Sequence, residues 1–149
     1  MEVPKATPTF RPWNGVLPGD TYGGKAVLDV EGEPAFAELV ILKLLERAGW
    51  SGVWIDTYRN KYRRAYWGAE PIAALPPFPA SALQAILSKR DAGRSGTWDI
   101  LAWNESELLF AESKRAGHDA IRPSQATWLA AALDMGHPLE SFLVVEWSV

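Results

Sequence analysis

The sequence predicts an α/β domain: a mixed central sheet with helices on both faces. Three observations carry that expectation. Helix-like and strand-like segments alternate, in the order helix, strand, variable insert, strand, strand, helix, strand. Residues 97–114 read as two apolar segments around the polar Asn104-Glu105-Ser106-Glu107, a hairpin signal. Ile100, Leu101, Leu108, Leu109 and Phe110 suggest strands covered on both sides.

Taken in order, residues 1–33 are rich in proline and glycine and read as an irregular arm packed on the core. A short strand is expected at 26–30, with Trp13 as anchor, and the arm carries no functional signal. A helix is expected over 34–48, with Pro34 in its first turn and Gly49 just past its end. Glu38 falls between Leu42 and Leu45, near Ile41, on the apolar face. It is either a carboxylate that needs a partner or a helix-start charge favouring the macrodipole.

Residues 52–58 read as a strand around Val53, Trp54 and Ile55. Tyr58, Tyr62, Tyr66 and Trp67, interleaved with basic residues, are either core and rim packing or stacking platforms for bases and sugars. Residues 69–79 read as a proline-punctuated loop, and 81–91 as a helix ended by Gly93. After the hairpin comes a loop at 117–123. A helix over 124–135 follows, with Ser124 as N-cap and Gly136 as stop. Gln125 shares a face with Trp128, Leu129 and Ala132, so it points toward the core. Residues 142–147 close the chain as an apolar strand. The sequence has no internal repeat.

A length of 149 residues, with 48% hydrophobic and 22% charged residues, fits one soluble globular domain with a real core. The absence of cysteine excludes disulfides, thiolate metal sites and a cysteine nucleophile, and two histidines argue against a multi-histidine zinc site. The polar, proline-rich start does not read as a signal peptide. No apolar run approaches the roughly 18 residues a membrane span needs. A cytoplasmic protein without membrane contact is expected.

The net charge of −3 argues against a surface coated in basic residues. Positive charge is nonetheless clustered: Arg59, Lys61, Arg63 and Arg64; Lys89, Arg90 and Arg94; Lys114, Arg115 and Arg122. If the groups converge on one face, that face suits a polyanion backbone; otherwise they are solvated charges on turns and helix ends.

The hairpin carries the chemistry. With the turn centred between Glu105 and Ser106, Asn104 faces Glu107 and Asp99 stands opposite Glu112. Opposed residues have Cβ atoms about 4.5–5.5 Å apart. Two carboxylates so close repel unless a proton or cation lies between them. A hard divalent ion held by oxygen ligands resolves that conflict. Lys114 leaves the strand on the same side as Glu112. The alternative is that all three are edge charges at strand ends.

The pattern Gly96-x-x-Asp99, a hairpin, Glu112-x-Lys114 and then Ser124-Gln125-x-x-Trp128-Leu129 in a helix resembles the PD-(D/E)XK nuclease superfamily. It looks most like the VRR-NUC (virus-type replication-repair nuclease) branch, with Holliday junction resolvases as relatives. The resemblance covers 34–149, with 59–95 a variable insert. It implies a restriction-endonuclease-like fold with a helix-strand-strand-strand-helix-strand core. One departure is Trp98, where the family usually has proline before the aspartate.

The resemblance further implies that Asp99, Glu112 and the backbone carbonyl of Ser113 bind Mg²⁺ or Mn²⁺, with Glu38 completing or supporting the site. Lys114 would position or activate the water, and Gln125 would orient the active-site face. The implied activity is metal-dependent hydrolysis of DNA phosphodiesters, structure-specific in the manner of replication, repair or recombination nucleases. Arg59, Lys61, Arg63, Arg64, Arg94, Arg115 and Arg122 are the candidate DNA contacts. A homodimer would bring two sites to one substrate. The competing expectations are an inactive nucleic-acid- or partner-binding module with the same fold, and a hydrolase or structural protein with a coincidental triad.

Overall fold

A computed structural model describes residues 2–65, 70–90 and 93–149. Tyr66 and Trp67, two of the four candidate stacking aromatics, lie outside the described residues, as does Asp91, the expected end of the second helix. In chain order the elements are β1 (Lys5–Ala6), β2 (Arg11–Pro12), β3 (Leu28–Val30), β4 (Glu33–Ala35), α1 (Ala37–Arg47), β5 (Ser51–Asp56) and β6 (Lys61–Arg63). Then come α2 (Pro77–Ser88), β7 (Ile100–Trp103), β8 (Leu108–Arg115), α3 (Pro123–Asp134), a 3₁₀ turn at Leu139–Ser141 and β9 (Phe142–Trp147).

Six strands form a mixed sheet in the order β1-β9-β8-β7-β5-β6. Strands β6, β5, β7 and β8 pair antiparallel in succession, and β8, β9 and β1 are mutually parallel. Strand alternation explains the layers. Trp54, Ile100, Ala111, Val145 and Trp147 pack with Leu39, Ile41 and Leu42 of α1. Their strand neighbours Val53, Ile55, Leu101, Phe110 and Val144 pack with Leu83 and Ile86 of α2 and Trp128 and Ala132 of α3. The sheet is thus covered on both faces, as the apolar strands of the hairpin predict.

The hairpin register matches the expectation: Ile100 pairs with Ala111 and Trp103 with Leu108. Asn104 fixes it. Its N–H donates to the Glu107 carbonyl at 3.1 Å, and its Oδ1 accepts the N–H groups of Ser106 and Glu107 at 3.1 and 2.8 Å. A one-residue slip would break these bonds and turn every side chain to the wrong face.

Several boundaries differ from expectation. Helix α1 starts at Ala37, because Pro34 belongs to β4, an edge strand where its missing N–H does no harm. A two-residue turn joins β3 to β4, with positive φ at Glu31 and Gly32 and the Gly32 N–H held by Asp29 Oδ1 at 2.7 Å. Helix α2 begins at Pro77, inside the expected loop, since prolines fit a first turn that needs no N–H partners. Helix α3 takes Arg122 as N-cap, with Ser124 inside the helix. Strand β5 ends at Asp56, and the insert adds β6 to the sheet edge.

The arm is more ordered than expected. Strand β1 extends the main sheet beside β9, and β2, β3 and β4 form a second, three-stranded sheet. Phe10, buried and stacked on Trp147 at 5.7 Å, anchors it. Trp13 instead caps its own turn, donating Nε1–H to the Val16 carbonyl at 2.9 Å.

Gly96 sets the distance between the hairpin and α3. Its φ is +78°, and a Cβ there would lie 2.1 Å from the Ser124 carbonyl oxygen and 2.3 Å from its carbon. Gly96→Ala should therefore cost at least the roughly 1–3 kcal/mol of a strained left-handed residue, plus the displacement of the α3 start. Urea denaturation measures it. A change within about 0.5 kcal/mol, as at an unconstrained surface position, would contradict this close approach.

Candidate active site

The β7–β8 ladder ends at Ile100–Ala111, and carboxylates take over where backbone pairing stops. Asp99 Oδ2 accepts the Ser113 N–H at 2.9 Å, and Glu112 Oε1 accepts the Asp99 N–H at 3.1 Å. Each carboxylate thus holds the backbone of the opposite strand. The Asp99 carbonyl is used on the other side, accepting the Ile55 N–H at 2.7 Å. Asp99 lies outside the ladder and its N–H and C=O diverge, but within β8 a residue's N–H and C=O leave on the same side, so the Ser113 carbonyl faces the gap beyond Ile100. The Ser113 hydroxyl oxygen accepts Trp147 Nε1–H at 3.0 Å.

Glu112 is fully buried. Its Oε2 accepts Gln125 Nε2–H at 2.5 Å and lies 3.5 Å from Lys114 Nζ. Gln125 is the third residue of α3. Its Oε1 accepts the Arg122 N–H at 2.9 Å, so one amide both closes the helix start and clamps Glu112. Behind it, Trp98 donates Nε1–H to the Gln125 carbonyl at 3.2 Å and stacks on Trp128 at 6.0 Å. Trp98 therefore ties the segment carrying Asp99 to the helix carrying Gln125. The pairing of two apolar tryptophans was the available sequence signal for this link.

Glu38 lies in the first turn of α1, buried, with Oε1 2.5 Å from Lys25 Nζ. All five expected side chains, Glu38, Asp99, Glu112, Lys114 and Gln125, line one cleft of about 670 Å³. Ser113, Arg115, Arg122, His118 and Lys25 line it as well. Lys25 had no signal in the sequence, because nothing local relates residue 25 to a helix that starts at Ala37.

The three basic groups do not converge. Arg115 and Arg122 flank the cleft beside Lys114, and neither pairs with a carboxylate among the described residues. Arg63 is buried against Asp56 at 3.0 Å, where its charge is neutralised. Arg59 lies 3.8 Å from the same carboxylate, its guanidinium 3.4 Å from the Tyr22 ring centroid. Arg64 pairs with Glu46 at 3.0 Å, and Lys89 with Asp134 at 2.6 Å. Lys61 and Arg94 line a separate shallow pocket of about 420 Å³.

Burial pushes the Glu112 carboxyl up to about 10, with the nearby Asp99 charge adding to the shift and Lys114 opposing it. Burial and Asp99 likewise raise Glu38, against the pull of Lys25. For Lys25, burial disfavours the charge, but Glu38, Asp99 and Asp56 outweigh it and raise its pKa. The cleft therefore stores a proton where two strands oppose two carboxylates. Among the described residues no group of three or more Asp, Glu or His side chains has metal-binding geometry. The oxygen donors that a hard divalent ion could use here are the carboxylates of Asp99 and Glu112 and the Ser113 carbonyl.

No family model matches this chain, and it matches no curated protein. No described helix is long and apolar enough to cross a membrane.

The raised Glu112 pKa sets a sign for stability. The folded state holds its proton up to about pH 10, whereas the unfolded chain loses it near 4.5. Between those values the unfolded state binds fewer protons, so stability falls as pH rises. Urea midpoints of the metal-free protein should decline across that window, and Glu112→Gln should flatten the decline. An equal slope in the variant would show that Glu112 is not the titrating group.

Proposed function

We propose that this chain is a metal-dependent nuclease acting on DNA, with a restriction-endonuclease-like fold. The observation that carries the reading is the convergence of Asp99, Glu112, Lys114 and Gln125 in one cleft flanked by Arg115 and Arg122. The core order α1-β5-β7-β8-α3-β9 supports the fold assignment.

Asp99, Glu112 and the Ser113 carbonyl would hold Mg²⁺ or Mn²⁺, ions that prefer oxygen donors. Bound there, such an ion supplies a Lewis acid for a phosphoryl oxygen and acidifies a water. The chain's own groups do the rest. Gln125 holds Glu112 Oε2 in place from α3. Lys114 directs its remaining N–H donors at the attacking water or a non-bridging phosphate oxygen. Arg115 and Arg122 neutralise the flanking backbone phosphates.

A second reading, a binding module that keeps the fold without cutting, is favoured by one observation: Glu38 is already paired with Lys25 and so is not a free third ligand beside Asp99 and Glu112. Digestion of linear, flap and four-way-junction DNAs with and without Mn²⁺ separates the two. The nuclease cuts only with the ion; the binding module retains DNA without cutting it.

Lys114→Ala should fold and bind Mn²⁺ nearly as wild type. It should lose about a hundred- to thousand-fold in single-turnover cleavage, the usual loss for a donor aimed at developing charge. Asp99→Ala should instead lose Mn²⁺ binding in calorimetry. Near wild-type cleavage by Lys114→Ala at saturating metal would remove its assigned role.

A further inference from the structure

The N-terminal arm brings a second lysine into the cleft, and its position is built. The Thr21–Lys25 turn is closed by the Lys25 N–H donating to the Thr21 carbonyl at 2.8 Å. Tyr22 wedges the turn against the body, with ring centroids 5.4 Å from Phe36 and 6.0 Å from Trp54, and the Arg59 guanidinium covers its other side at 3.4 Å. Lys25 Nζ lies 5.8 Å from the Trp54 ring and 2.5 Å from Glu38 Oε1. It also feels the charge of Asp99.

We infer that Lys25 is a site residue whose ammonium takes, beside Glu38 and Asp99, the place of a second divalent cation, so that the cleft holds a single ion. The inference rests on the nuclease reading of the same cleft. Its physical basis is charge balance in a partly dry space. Glu38, Asp99, Glu112 and Asp119 are four carboxylates, and Lys25, Lys114, Arg115 and Arg122 are four fixed cations lining the same cleft. With one divalent ion added, the ionised lining carries two net positive charges, and a second divalent ion would raise that to four. A second divalent ion would have to displace the Lys25 ammonium from a carboxylate that is only 6% exposed. Stripping that partner away leaves a charge that must be re-paired.

Lys25 is a positioning residue here: it neutralises Glu38 and keeps it from entering the ligand set. An arm lysine that merely fastened the arm to α1 would contribute to stability alone and leave the ion count untouched.

The test is Mn²⁺ stoichiometry, read by calorimetry and by electron paramagnetic resonance of the free ion, with no DNA present. The wild type should take one Mn²⁺ at saturation, Lys25→Arg one, and Lys25→Met two. The double variant Lys25→Met/Glu38→Gln should return to one. One ion in Lys25→Met at wild-type affinity overturns the role of Lys25 and leaves the nuclease reading standing. Two ions in the wild type also overturn it, which keeps the inference falsifiable should Lys25→Met fail to fold. A wild type that binds no Mn²⁺ overturns both readings.

Discussion

The opposition of Asp99 and Glu112 across the end of the β7–β8 ladder is the constraint around which the rest is arranged. Two carboxylates in a space this dry cannot both ionise without compensation. The fold supplies compensation from several directions. Backbone N–H groups of Asp99 and Ser113 bond the carboxylates, Gln125 clamps Glu112 from α3, and Lys114 approaches from the same strand. Burial first, and the facing Asp99 charge second, push the Glu112 carboxyl far above its ordinary value and favour its protonated form in the metal-free cleft. On the proposed reading, a bound metal ion would displace that proton.

Packing serves this arrangement. The stack of Trp98 on Trp128 and the edge contacts of Phe110 and Phe142 with Trp128 fix α3 relative to the hairpin. Gly96 lets the two approach closely enough for the Gln125 amide to reach Glu112. On the other face α1 delivers Glu38, and the arm delivers Lys25 to meet it. The arm is therefore part of the cleft, fastened through Phe10 at one end and Tyr22 at the other.

What was legible in the sequence was set by short-range physics. The hairpin register followed from a four-residue polar turn, and Asn104 enforces it with bonds inside that turn. Gln125 and Trp128 shared a face by helical periodicity, and both are buried. The three-layer arrangement followed from apolar strands alternating with amphipathic helices. What was not legible depends on distant partners. Pro34 is the exception: its pairing with Asp29 is set by the local two-residue turn at Glu31 and Gly32, a hairpin that looked instead like a helix start. Arg63 looked like a free cation because Asp56 lies on the neighbouring strand. Lys25 had no periodic context at all, since its contact with Glu38 is made by folding the arm back over α1.

The central claim is that the Asp99–Glu112 pair, with the Ser113 carbonyl, is a divalent-ion site. Anomalous diffraction from crystals grown with Mn²⁺, recorded at the manganese edge, tests it most directly. An anomalous peak is expected within coordination distance of one oxygen of Asp99, one of Glu112 and the Ser113 carbonyl. A cleft with no peak there at saturating Mn²⁺, and the two carboxylates still bonded to the backbone as in the metal-free protein, would contradict it.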